Sequence, residues 1–93
     1  MRSRYTAFVL ERASYLLATW APAKRPSQVR FDPGAKWLGL EVRAFAESDS
    51  DHATVEFVAR QREATGRAIR LHEHSRFVRG NGRWYYLDGD IAP

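Results

Sequence analysis

The residues most able to do chemistry lie together in "RLHEHSRFVRGNGRWYYLDG", residues 70–89. Strand-like alternation sends Leu71, Glu73, Ser75 and Phe77 to one side and His72, His74, Arg76 and Val78 to the other. A carboxylate and a hydroxyl two residues apart, set between a leucine and a phenylalanine, are what the polar end of a lined pocket requires. There Glu73 can accept a ligand's hydrogen bond or act as a general acid or base. Two plainer arrangements stay open: the strand bends and releases Glu73 to solvent, or Glu73 pairs with an arginine from a helix. His72 and His74 have the i, i+2 spacing that can chelate a metal from a strand. With His52 they are the only histidines, and no third ligand is recognisable beside them. No metal site is therefore expected, and the pair reads as surface histidines among arginines.

What positions these groups is the hairpin. Asn81-Gly82 is a two-residue turn of the left-handed type, and it sets the register of the flanking strands. Val78 then faces Tyr85, Phe77 faces Tyr86, Arg79 faces Trp84, and Ser75 faces Asp88. One face carries Ile69, Leu71 and the pocket candidates Glu73, Ser75, Phe77, Trp84 and Tyr86, with Asp88 as a second titratable group. The other carries Arg70, His72, His74 and Arg76 beside Val78, Tyr85 and Leu87. Those last three are too apolar to be left together in water, and they are candidates for contact with a partner protein or a second copy.

Upstream, "MRSRYTAFVLERASYLLATWAP" reads as helical, with Tyr5, Phe8, Val9, Leu16, Leu17 and Trp20 on one apolar face. Ser14 is suited to cap a second piece, so a bend is expected near residue 13, and Pro22 ends the helix. "APAKRPSQVRFDPGAK" is a connector with a short helical turn expected at Pro26 or Ser27. From residue 36 onward the pattern is strand. "KWLGLEVRAFAE" puts Leu38, Leu40, Val42 and Ala44 opposite Glu41 and Arg43. "ATVEFVARQRE" puts Val55, Phe57 and Ala59 opposite Glu56 and Arg60. The "ATG" loop leaves the register of 52–63 against 67–79 open. Helices followed by a four-stranded antiparallel meander form an α+β pattern, with the long strands bending around the helix.

Composition sets the bounds. The 93 residues make one domain, with 44% apolar and 13% aromatic residues to build its core. The absence of cysteine excludes disulfides, a thiolate nucleophile and a cysteine zinc site, and it suits a reducing cytoplasm. Neither a membrane span nor the apolar core of a signal peptide is present, so a cytoplasmic domain is expected. The net charge of +4 is concentrated: over residues 60–83 seven arginines against two glutamates leave +5. Such a stripe invites comparison with single-strand nucleic-acid binders, but no RNA-recognition signature or helix-turn-helix accompanies it. Solubilising, edge-protecting arginines are the expectation, and weak nucleic-acid binding through that face is a minor alternative.

The stretches "MRSRYTAFVLERASYLLATW", "WLGLEV", "FVAR" and "HEHSRFVRGNGRWYYLDG" resemble the central domain of the bacterial YchJ family, a likeness that runs over almost the whole chain. The resemblance implies a nuclear-transport-factor-2-like, or cystatin-like, fold: a strongly curved sheet wrapped round a helix as a cone with a cavity at its wide end. Members of that family usually carry short cysteine-rich segments of the SEC-C type, which look like zinc-binding modules. In relatives "MRSRY" looks internal. This chain is accordingly a natural minimal form, a trimmed one or the product of a misassigned start, and no zinc role carries over. The superfamily contains dehydratases, isomerases and hydrolases as well as binding and dimerisation domains, so fold alone does not choose.

The expectation is a non-catalytic binding or interaction module without a cofactor, holding a small molecule against Phe77, Trp84 and Tyr86 with Glu73 and Ser75 at its polar end. The alternative is a small acid–base enzyme using Glu73, for which only Asp88 is available as a second group on that face.

Overall fold

The computed structural model describes residues 2–92. Its elements follow the order expected: helix α1 (Arg2–Val9), helix α2 (Ala13–Ala18), a 3₁₀ turn (Pro22–Lys24), then strands β1 (Lys36–Asp49), β2 (His52–Arg62), β3 (Ala68–Gly80) and β4 (Arg83–Ile91). The strands form one antiparallel meander in the order β1-β2-β3-β4. Among the described residues no helix is long and apolar enough to cross a membrane.

The bend between the helices has a backbone cause. Glu11 takes φ 54°, and the Arg12 N–H bonds the Ala7 carbonyl at 2.8 Å, closing α1 as a left-handed helix ending. Ser14 does not cap α2; Arg12 precedes that helix, without a side-chain cap. The short helical turn comes at Pro22, where proline suits a first helical position, and not at Pro26 or Ser27. Val9 and Leu10 are exposed, so the buried face of α1 is set by Arg4 and Ala7 instead. The apolar contacts run from Tyr5 and Phe8 to Trp37 of β1, with ring centroids 5.6 and 5.8 Å apart.

Val55, Phe57, Ala59 and Phe77 form the buried core cluster, with Leu40, Val42, Leu71, Trp84 and Tyr86 packed against it. The open register between β2 and β3 resolves with Val55 opposite Ser75, Phe57 opposite Glu73 and Ala59 opposite Leu71. Both inward sets therefore lie on one face. Strand β1 departs from simple alternation at three irregularities, Trp37/Gly39, Val42/Ala44 and Glu47/Asp49. Each inserts an extra residue and reverses which face follows. Leu38 is consequently exposed while Trp37 packs inward, and Ala44 faces Glu56 across the sheet instead of sharing the side of Val42.

The Asn81-Gly82 turn forms as expected, with φ 52° and 76°. Val78–Tyr85, Phe77–Tyr86 and Arg79–Trp84 pair as read from the sequence. Beyond them the register slips: Arg76 pairs with Asp88 and Ser75 with Gly89, because Leu87 is an extra residue in β4. Asp88 therefore does not lie opposite Ser75. It turns to the outer face and binds Arg76, Nε to Oδ1 at 2.5 Å. The edge of β4 is partly covered by the chain leaving α2: the Tyr86 N–H bonds the Thr19 carbonyl at 2.8 Å, and the Ala21 N–H bonds the Tyr86 carbonyl at 2.7 Å.

Candidate functional site

On the helix-covered face, β3 presents Glu73 and Ser75 and β4 presents Tyr86. Ser75 is fully buried, and its hydroxyl donates to Glu73 Oε2. The Tyr86 hydroxyl lies 3.4 Å from the same oxygen. Burial, reinforced by the neighbouring Glu73 carboxylate, pushes the Tyr86 phenol up to about 12, so at neutral pH it is a proton donor. Gly89 sits opposite Ser75 at the place the sequence reading had given to Asp88, and its missing side chain leaves room for the Glu73 carboxylate.

A cation faces this carboxylate from the helices. Arg4 is only 5% exposed. Its Nη1 donates to the Leu16 carbonyl at 3.1 Å and to Thr19 Oγ1 at 2.6 Å, tying α1 to the end of α2. Its guanidinium carbon stands 4.8 Å from the Tyr86 ring centroid and 5.2 Å from that of Trp20. Burial lowers its pKa, and the fields of Tyr86, Tyr15 and Glu73 oppose that shift. The sequence reading left open an arginine from a helix as the partner of Glu73 but did not single out Arg4. Its spacing was the available signal: Arg4 falls three and four residues before Ala7 and Phe8, on the buried stripe of α1.

Arg4, Glu73 and Tyr86 line one cavity of about 280 Å³, walled by Tyr5, Trp20, Trp37, Phe57 and Leu71. Arg4 and Glu73 face this space without a direct ion pair. The indole N–H of Trp20 is buried without a hydrogen-bond partner among the described residues. A second cavity of about 180 Å³ shares Arg4 and Tyr86 and is lined by Phe45, Phe77 and Trp84. The structure thus divides the pocket candidates: Glu73 and Tyr86 meet at the first space, Phe77, Trp84 and Tyr86 meet at the second, and Ser75 supports Glu73 from the core.

The outer face behaves differently. Val78, Tyr85 and Leu87 are half-buried, and the exposed large apolar side chains lie elsewhere, at Phe45, Leu38 and Ile91 among others. The arginine stripe is partly neutralised: Arg76 binds Asp88 and Asp90, and Arg79 lies 3.8 Å from Asp51. His72 and His74 are not isolated, because the β2–β3 register brings Glu56 beside both of them.

The model of the YchJ middle domain, described as NTF2-like, matches residues 1–89. The chain belongs to this family. It is 68% identical over 90 residues to a UPF0225 protein of Polaromonas naphthalenivorans, covering 97% of this chain and 65% of that protein. A UPF0225 protein of Bordetella pertussis is 61% identical over 94 residues, covering 98% of this chain and 68% of that protein. The chain thus spans about two thirds of the length of these relatives. The solution structure of a SEC-C motif containing protein from Rhodopseudomonas palustris superposes with a TM-score of 0.85 at 34% identity, over 100% of this chain and 76% of that one. The YchJ middle domain is therefore a small α+β fold with a four-stranded antiparallel sheet, as its sequence implied.

Proposed function

We propose that this YchJ middle domain is a small-molecule-binding module whose ligand enters the space between Arg4 and Glu73. One observation carries the reading. A buried guanidinium and a carboxylate face a common aromatic-walled cavity without closing on each other. Leaving both charges short of contact is costly in a filled core, where opposite charges gain most by pairing. A ligand that offers an acceptor to Arg4 and a donor to Glu73 completes both. The size suits a compact ligand with an apolar or aromatic body, since about 280 Å³ is near the lower end of ordinary ligand pockets. In the cone-shaped arrangement that the family likeness implies, this space is the interior of the cone.

The acid–base enzyme remains as a second reading because the structure supplies the titratable partner that Asp88 does not. Tyr86 stands 3.4 Å from Glu73 and stays protonated at neutral pH. A carboxylate beside a phenol is a workable base–acid pair for a dehydratase or isomerase. Titration with small aromatic acids, amines and amidines, followed by backbone-amide NMR and by analysis of the recovered compounds, separates the two. Saturable shifts at the cavity with unchanged compounds fit the binding module; chemical conversion lost in Glu73→Gln fits the enzyme.

A further inference from the structure

The outer face of the sheet holds a group of side chains that the cavity does not use. Glu56 lies directly across β2–β3 from His74, and His72 lies opposite Val58 one step further along the same face. His72 Nε2 is 2.5 Å from Glu56 Oε2, and His74 Nε2 is 3.7 Å from that oxygen. The two imidazoles lie side by side at 29°, with centroids 5.7 Å apart. One ligating atom from each residue falls within 4.8 Å of the others. The sequence offered no third ligand beside the histidines, and the fold brings the Glu56 carboxylate to that position.

We propose that Glu56, His72 and His74 form a binding site for a divalent transition-metal ion, with zinc as its natural occupant. Two imidazole nitrogens and one carboxylate oxygen are a donor set suited to zinc, and three protein ligands leave a position for water or an exogenous ligand. All three residues sit on β2 and β3, the two strands paired on both sides, so their backbones are held by the sheet. The side chains are 26% (Glu56), 17% (His72) and 55% (His74) exposed, which leaves a path for the ion while sheltering two of its ligands.

The surrounding charges decide whether a cation is tolerated there. Arg43 approaches Glu56 from β1 but lies 3.5 Å from Glu41, and Arg76 is taken by Asp88 and Asp90. Asp90 stands opposite His74 on β4 and adds a negative field. Arg60 and Arg70, paired with each other beyond His72, oppose it. When the ion enters, it replaces the hydrogen bond between His72 Nε2 and Glu56. Both nitrogens then coordinate as neutral imidazole, and any proton held between His72 and Glu56 passes to solvent.

Calorimetric titration of the untagged chain with zinc chloride at neutral pH tests the site. The expected result is saturable binding of one zinc per chain, weakened roughly tenfold or more in His74→Ala and in Glu56→Gln. His52→Ala, which removes the remaining histidine, leaves the isotherm unchanged. His74 is an exposed side chain, so its variant folds, and an unchanged amide NMR spectrum verifies that. Shifts of the His72 and His74 ring protons on zinc addition supply a second readout. The proposal is overturned if the wild-type chain gives no saturable isotherm, or if His74→Ala or Glu56→Gln binds zinc as tightly as the wild type.

Discussion

Gly89 lies beneath the carboxylate of Glu73: a methyl group on residue 89 would stand 2.7 Å from Glu73 Cδ and 2.8 Å from Oε2. The extra residue Leu87 brings this glycine, and not Asp88, opposite Ser75. The bulge in β4 thus does two things. It moves a competing acid to the outer face, and it opens the inner face for Glu73.

Gly89→Ala is expected to push Glu73 off its position and to cost on the order of 1–3 kcal/mol, the usual range for overpacking. The cost should shrink markedly in the Glu73→Ala background, where the added methyl group meets no carboxylate. Thermal denaturation of the two single variants and the double variant measures this coupling. Strict additivity would mean that the contact is not what makes residue 89 a glycine.

Glu73 itself is separable from its hydrogen bond. Glu73→Gln keeps an oxygen that accepts from the buried Ser75 hydroxyl, and near neutral pH its stability should equal or exceed that of the wild type. Glu73→Leu removes the acceptor and leaves a fully buried hydroxyl unpaired, which costs about 1–3 kcal/mol. Chemical denaturation should rank the leucine variant well below the glutamine variant. A large loss in Glu73→Gln would instead indicate that the negative charge holds the fold, through Arg4, rather than awaiting a ligand.

Tyr86 sets an alkaline dependence. Its folded pKa is raised to about 12 from an ordinary value of 10.0, by burial first and by Glu73 second. A raised pKa means that the folded chain holds this proton more tightly than the unfolded chain does. The stabilisation is fully present below pH 10 and is lost as pH rises from 10 to about 12. Ultraviolet titration of phenolate formation should show a late component that disappears in Tyr86→Phe. In Glu73→Gln that component should move down while staying above the ordinary range, because burial remains.

Much of this arrangement was legible in the chain. The Asn81-Gly82 turn set the first strand pairs by local geometry alone, and the alternation in "ATVEFVARQRE" correctly put Val55, Phe57 and Ala59 inward. The reading failed where alternation is interrupted. Leu38, Arg43 and Leu87 are each an extra residue in a strand, and nothing in their side chains announces a bulge. Each displaced the faces downstream of it, which is how Asp88 was assigned to the wrong side. Arg4 was missed for a different reason: a charged residue near a terminus reads as solvated unless its partners are known. Those partners, the Leu16 carbonyl and Thr19, are 12 and 15 residues away. Glu56 was placed on the correct face, but its meeting with His72 and His74 depended on a register that the "ATG" loop left open.

The measurement that bears most directly on the cavity is a backbone-amide NMR titration of the chain with indole, benzoate, benzamidine and phenylalanine, each followed to saturation. At least one of these is expected to give saturable shifts centred on Glu73, Ser75, Tyr86 and Gly89 and on the Arg4 side of α1. The same shifts should be absent in a Phe57→Trp variant, which fills the space between Arg4 and Glu73. Shifts absent from these positions with all four compounds, or unaffected by filling the space, would contradict a ligand-binding role and leave the cavity as part of a packed core.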